Sequence, residues 1–289
     1  MYTYKRANLP KSTIELSIQV PIKELEEEYK KSFEELRKDL AVGGFRKGKV
    51  PKDVAAKHLA KEDVYQHVIR NYIPRVYTEI VQKEGLRPIL QPRVELVKAK
   101  EGEDWEFKLK TAESPKIELG AYKEKVKAAK KAAEKSDIWV PGKDKERSPQ
   151  DQEKLRQAQF QAALEALLNE VKIEIPDLLL EEEVEKRLAK LVDDVQKVGL
   201  TMDSYLKSKN ATREMLNAQM KKEAEDSYKI EFILQEIADK EDIKVEQAEL
   251  EKVFETIKNE KEKQQAQANA YYYAAFLRKQ KTLDYVSSL

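Results

Sequence analysis

A change of hydrophobic period at Pro21 constrains the fold more than any other feature of this chain. Before it, Thr13 to Val20 (TIELSIQV) alternates, with Ile14, Leu16, Ile18 and Val20 on one side. A period of two puts these residues on one face of a half-buried strand. After it, in PIKELEEEYKKSFEELRKDL, Ile22, Leu25, Tyr29, Phe33, Leu36 and Leu40 recur at steps of three and four. That spacing draws an apolar stripe along a helix. Proline suits the first turn of a helix, where its missing N–H would have no partner. Gly43-Gly44 then stops the helix.

A basic loop follows, then a second helical stretch that keeps Val64, Val68, Tyr72, Val76 and Ile80 on one face and ends at Gly85. Pro74 lies inside it and predicts a kink or a break. Alternation then returns. Arg93 to Lys100 alternates through Val94, Leu96 and Val97, and Trp105 to Thr111 through Trp105, Phe107 and Leu109. The polar Glu101-Gly102-Glu103-Asp104 between them reads as a hairpin turn. The order βααββ indicates an α+β domain over residues 1–114.

Residues 115–149 change character. Lys123 to Lys135 is rich in lysine and alanine and suits a helix, Ile138-Trp139-Val140 is a short apolar island, Pro141-Gly142 is a turn, and Ser148-Pro149 is a helix start. The stretch is too short and too charged to bury a core of its own, so it reads as a connecting arm. Residues 150–289 read as helix throughout. Stripes run through Phe160, Leu164, Leu167, Leu168 and Val171, through Val184, Leu188, Leu191, Val192 and Val195, and through Ile230, Ile233, Leu234 and Ile237. Lys172 to Pro176, Gly199 and Asp242 to Val245 separate them, and Thr201 and Thr212 are expected N-caps. Leu250, Val253, Phe254 and Ile257 lead into a polar run. The tail is apolar again at Tyr271-Tyr272-Tyr273-Ala274-Ala275-Phe276-Leu277. The fold class expected is an α+β N-terminal domain followed by an elongated all-α C-terminal domain.

Charged residues make up 38% of the 289, well above the usual ~25%. Such a chain has much solvated helix surface rather than one thick core. Lys+Arg is 55 and Asp+Glu 54, a net charge of +1, so any polyanion contact must come from a local patch. There is no cysteine, which excludes disulfides, thiolate metal sites and cysteine nucleophiles. No secretory h-region follows Lys5-Arg6, and no run approaches the ~18 apolar residues of a membrane span. A cytoplasmic protein with no membrane partner is the expectation.

Little in the chain suits catalysis. His58 and His67 are the only histidines, and their spacing fits no metal-binding motif. No carboxylate stands in an apolar setting that would raise its pKa. Gly43 to Gly48 lacks a phosphate-cradling GK[ST] and follows a helix, so no nucleotide or other cofactor is expected. The sharpest feature is the loop itself: Gly44-Phe45-Arg46-Lys47-Gly48-Lys49-Val50-Pro51. It sets an aromatic and three cations on a short connector, with Pro51 fixing its exit. Arg46 can pair bidentately with carboxylate or phosphate, Lys47 and Lys49 add point charge, and Phe45 can anchor in a pocket or stack on a base. The same residues would also make a solvated turn with Phe45 tucked into its own core. Tyr271–Tyr273 is open to two readings as well. It is either a helix face packed on neighbours or an adaptable surface for apolar segments, to which Met202, Met215 and Met220 could add.

Gly44-Phe45-Arg46-Lys47-Gly48-Lys49-Val50-Pro51 resembles the signature of the bacterial trigger factor family, chaperones that meet nascent chains at the ribosomal exit tunnel. Three later segments are similar to that family in the same order: Ile175-Pro176-Asp177-Leu178-Leu179-Leu180-Glu181-Glu182-Glu183, Gly199-Leu200-Thr201-Met202-Asp203-Ser204-Tyr205-Leu206, and Ile237 to Val245. The resemblance covers roughly 1–114 and 150–260. It implies a ribosome-binding domain, a helical chaperone domain, and docking on large-subunit protein and ribosomal RNA through Phe45, Arg46 and Lys47, with Lys49 as an addition and Gly44, Gly48 and Pro51 shaping the loop. It implies nascent or unfolded polypeptides as clients, held without ATP, no DNA partner, and leaves a homodimer away from the ribosome open. Family members usually carry a prolyl-isomerase domain of the FK506-binding type after the arm. Residues 115–149 cannot contain one, so no enzyme activity is expected. Two alternatives remain: a prolyl isomerase, or a ribosome-independent helical chaperone of the SurA-like kind.

Overall fold

The computed structural model describes residues 1–136 and 149–289. They form two compact units: Met1–Ser114 with Pro176–Leu179, and Pro115–Ile175 with Leu180–Leu289. The expected Ile138-Trp139-Val140 island, the Pro141-Gly142 turn and Ser148 lie outside the described residues.

The first unit is a sheet carrying helices. Strands β1 (Thr3–Leu9), β2 (Thr13–Val20), β3 (Arg93–Lys98) and β4 (Trp105–Ala112) stand in the order β1-β2-β4-β3, each pair antiparallel. Leu16 faces Leu109 and Ile18 faces Phe107 across β2 and β4. This register lines the alternating apolar residues of both central strands on one face. Helices α1 (Ile22–Asp39) and α3 (Lys61–Glu84), with the short α2 (Lys52–His58) between them, supply the other half of the core. Leu25, Val68, Tyr72, Ile73, Val76 and Ile80 are buried against Leu16, Ile18, Trp105 and Phe107.

Four features depart from the expected elements. Strand β1 carries no apolar alternation and forms by pairing along its whole length with β2. α2 was not separately expected. Strand β3 is an edge, and Val94, Leu96 and Val97 remain exposed although they alternate like a half-buried strand. Finally, α3 runs unbroken through Pro74. Tyr72, Ile73, Val76 and Tyr77 on either side of the proline are all buried, and their packing outweighs the ~3 kcal/mol that proline costs inside a helix. The turn before β4 also has a use beyond connection. Pro21 gives α1 no side-chain cap, and Asp104 Oδ1 accepts the Ile22 N–H at 2.9 Å in its place.

Among its described residues the second unit is helical apart from one two-stranded ribbon. That ribbon pairs β5 (Ile117–Glu118) with β6 (Lys172–Ile173). Helix α4 (Tyr122–Ser136) runs along α5 (Pro149–Glu170), with Val126, Ala163 and Leu167 fully buried. Helices α6 (Asp177–Lys197, in this unit from Leu180 onward), α7 (Met202–Ser208), α8 (Arg213–Lys240), α9 (Gln247–Glu255), α10 (Glu260–Ala268) and α11 (Ala270–Ser288) follow. Thr201 and Thr212 cap α7 and α8 as expected, accepting from the N–H groups of Ser204 and Met215. Ile233, Leu234 and Ile237 of α8 are buried, whereas Phe160, expected on the buried stripe of α5, is exposed.

Candidate functional site

The residues from Leu40 to Pro51 join α1 to α2. Two hydrogen-bonded turns shape them. The Phe45 N–H donates to the Val42 carbonyl at 3.0 Å, and the Lys49 N–H donates to the Arg46 carbonyl at 2.9 Å. Gly44 and Gly48 occupy the third position of each turn, with φ of +87° and +79°. A type II turn requires positive φ there, and glycine supplies it without steric cost. A Cβ on Gly48 would also stand 3.4 Å from the Lys38 carbonyl oxygen, while one on Gly44 would meet nothing within 4 Å. The spacing of the two glycines is thus the spacing of two successive turns.

These turns place the side chains of Phe45, Arg46, Lys47 and Lys49 outside. Phe45 is 42% exposed and does not fold into the core. Arg46 and Lys49 are exposed and form no ion pair among the described residues. Lys47 differs: its Nζ lies 2.9 Å from Asp39 Oδ1, at the end of α1. Both partners are well exposed, and such a pair contributes only ~0–1 kcal/mol. Val50 is fully buried and Pro51 precedes α2.

The exit of the loop is fastened by residues that sequence reasoning passed over. Arg37 Nη1 donates to the Val50 carbonyl at 2.8 Å. The same guanidinium reaches Glu34 Oε2 through Nε at 3.0 Å and Nη2 at 2.6 Å. The other oxygen of Glu34 takes Lys52 Nζ at 2.9 Å. The hydrogen bonds from Lys52 and Arg37 hold the Glu34 carboxyl below the usual carboxylate range. The available signal was the i,i+3 spacing of Glu34 and Arg37 at the end of a helix.

His58 is exposed at the end of α2, and His67 lies on α3 with Nδ1 3.8 Å from Glu35 Oε2. Among the described residues, no cluster of three or more histidines and carboxylates is arranged to hold a metal ion. No helix among them is long and apolar enough to cross a membrane.

The tyrosine run divides between its two readings. Tyr273 packs edge-on against Phe254, ring centroids 5.5 Å apart. Tyr271 and Tyr272 are 81% and 72% exposed, and Phe276, one turn on, is 66% exposed. A groove of about 600 Å³ runs between α8 and α11, lined by Leu234, Ala238, Val245, Tyr271 and Ala274 among others.

Two family models match the chain: "Bacterial trigger factor protein (TF)" over residues 2–140 and "Bacterial trigger factor protein (TF) C-terminus" over residues 144–287. The chain belongs to the bacterial trigger factor family. The two matches nearly abut, so no further domain stands between them. Among curated relatives, the trigger factor of Desulforudis audaxviator (strain MP104C) is 32% identical over 132 residues, 46% of this chain and 30% of the relative. That of Pelotomaculum thermopropionicum is 32% identical over 116 residues, 40% of this chain and 26% of the relative. The chain thus matches between a quarter and a third of the length of these relatives. A solved structure from work on promiscuous substrate recognition in folding and assembly activities of the trigger factor chaperone shares the fold. Its TM-score is 0.65 at 16% identity, covering 99% of each chain.

Proposed function

We propose that this chain is an ATP-independent chaperone that docks on the large ribosomal subunit through the loop from Gly44 to Pro51 and shields nascent polypeptides with its helical unit. The observation that carries the docking half is the loop's construction. An exposed Phe45 stands beside two cations, Arg46 and Lys49, that have no ion-pair partner among the described residues, on a backbone fixed by two hydrogen-bonded turns. An aromatic face and unpaired cations fit a partner that offers an apolar pocket or a base together with phosphate oxygens, as a surface of protein and ribosomal RNA does. Membership of the family favours the ribosome over other partners of that chemistry.

The holding half rests on the exposed Tyr271, Tyr272 and Phe276 and on the groove that Tyr271 lines. Large aromatic rings give contact area at small cost in side-chain entropy, which suits weak binding of many apolar segments. The nearly abutting family matches leave no place for an isomerase domain between them, and this reading assigns the chain no catalytic residue.

Co-sedimentation with ribosomes tests the docking half. Replacing Phe45, Arg46 and Lys47 together by alanine is expected to abolish most of the association at physiological salt. Association equal to that of the parent chain would sink the reading.

A further inference from the structure

We propose that Arg37 and Glu34 are positioning residues of the docking loop: they hold it in the shape that presents Phe45, Arg46 and Lys49, without themselves meeting the partner. The inference rests on the docking reading above and adds residues outside the loop to it.

The two turns within the loop are local. Each closes four residues on themselves, and neither ties the loop to the body of the unit. Such a tie exists at the exit. There Arg37, near the end of α1, donates to the carbonyl of Val50, the last residue before Pro51, while Val50 itself is fully buried. Glu34, one turn earlier, grips Arg37 with one oxygen and Lys52, the first residue of α2, with the other. At the loop's exit the chain from α1 to α2 is therefore closed by one planar fork and one carboxylate, in addition to the exposed pair of Lys47 with Asp39. All three guanidinium nitrogens of Arg37 are engaged within the unit.

Closure matters because ordering backbone costs ~1–2 kcal/mol per residue. A loop already ordered in the free protein does not lose that entropy when it binds. Only arginine can serve both ends of this brace. Its donors lie in a fixed fork, whereas a lysine ammonium is a single point charge that cannot span the Glu34 carboxylate and the Val50 carbonyl in the same way.

The test compares full-length Arg37→Ala, Arg37→Lys, Glu34→Gln and Arg46→Ala chains with the parent. Ribosome affinity is measured over a salt series, and amide hydrogen exchange is followed at Phe45 and Lys49. Arg37→Ala is expected to weaken binding about tenfold, equivalent to ~1.4 kcal/mol, while the slope of log affinity against log salt stays at the parent value. Its Phe45 and Lys49 amides exchange faster, and amides in β2 and β4 do not. Arg37→Lys retains the charge and is expected not to restore binding. Glu34→Gln, which keeps an acceptor but loses the charge, falls between. Arg46→Ala should behave oppositely: its salt slope drops by about 0.7–0.9, as for one lost phosphate contact, with loop exchange unchanged.

Parent affinity in Arg37→Ala, unchanged exchange at Phe45 and Lys49, or full rescue by lysine would overturn the proposal. So would a fall in the salt slope of Arg37→Ala, which would make Arg37 a direct contact. Should Arg37→Ala loosen the whole unit, the lysine chain carries the same comparison. The triple alanine loop variant separates the two claims. If it binds ribosomes like the parent, docking and bracing fall together. If it loses binding while Arg37→Ala does not, only the brace falls.

Discussion

In the first unit, Phe45 stands on a loop whose backbone is fixed by hydrogen bonds at both turns and at its exit. In the second unit, Tyr271, Tyr272 and Phe276 stand exposed on the helix α11, and Tyr271 also lines the groove between α8 and α11. The first arrangement restricts which surface can meet it, because its cations and its ring are held in one geometry. The second restricts little, because an aromatic helix face accepts apolar side chains in many orientations. On the proposed function, the two units thus divide the work into a specific contact and a tolerant one.

The comparison breaks if one unit's surface proves to serve the other's task. The largest effect is expected from Phe45→Ala/Arg46→Ala/Lys47→Ala. Ribosome affinity should fall by about a hundredfold or more, since anchors of this kind carry ≥2 kcal/mol each. Suppression of aggregation of an unfolded model client, read by light scattering, should stay at the parent level. Gly48→Ala comes next. Alanine at positive φ costs ~1–2 kcal/mol, and its Cβ would come within 3.4 Å of the Lys38 carbonyl oxygen. A loss of about five- to tenfold in ribosome affinity is expected, larger than for Gly44→Ala, where the space is open.

Replacing Tyr271, Tyr272 and Phe276 by serine sharpens the other half. Light scattering should show suppression of aggregation weakened about fivefold, equivalent to ~1 kcal/mol in total, with ribosome affinity unchanged. Loss of ribosome binding in this variant would erase the division.

The smallest functional effect is expected from a group that only holds the second unit together. Glu241 follows the end of α8 and accepts Tyr122 Oη at 2.9 Å, Lys123 Nζ at 2.8 Å and Tyr285 Oη at 2.9 Å, joining α4, α8 and α11. The Lys123 ammonium and then the Tyr122 and Tyr285 hydroxyls push its carboxyl down from 4.5 to about 2. A carboxyl with a depressed folded pKa gives stability that is complete above its unfolded value and is lost as pH falls through the folded one. Glu241→Gln should therefore lower the melting temperature by about 2–4 °C near neutral pH. The gap from the parent should narrow below pH 4.5 and close near pH 2. A gap that persists at pH 2 would show that the carboxylate charge is not what binds the three helices.

Sequence and structure agree where one residue's role follows from its neighbours along the chain. The alternation of Ile14 to Val20, the helix face from Val64 to Ile80, and the caps Thr201 and Thr212 are local patterns, and all are realised. Disagreement arises where a partner distant in sequence decides. β1 exists because β2 offers it an edge, Val94 and Leu96 stay exposed on the edge strand β3 despite their alternation, and α3 survives Pro74 because its buried face packs on the sheet. The loop was legible as composition and as family resemblance, but not as geometry. That Lys47 turns back to Asp39 while Arg46 and Lys49 have no ion-pair partner among the described residues, and that Arg37 reaches Val50, follow only from the fold. The tyrosine run divided for the same reason: whether a helical tyrosine meets Phe254 or water depends on where α9 packs.

The salt dependence of ribosome binding, in the parent chain and in the chain lacking Phe45, Arg46 and Lys47, tests the account most directly. Phosphate contacts by two or three loop cations predict that log affinity of the parent falls against log salt with a slope of about −1.4 to −2.7. The altered chain should bind weakly with a slope smaller by at least about 0.7. Parent binding that does not change with salt, or an altered chain that keeps the parent's slope and affinity, would contradict the claim that this loop is the docking element.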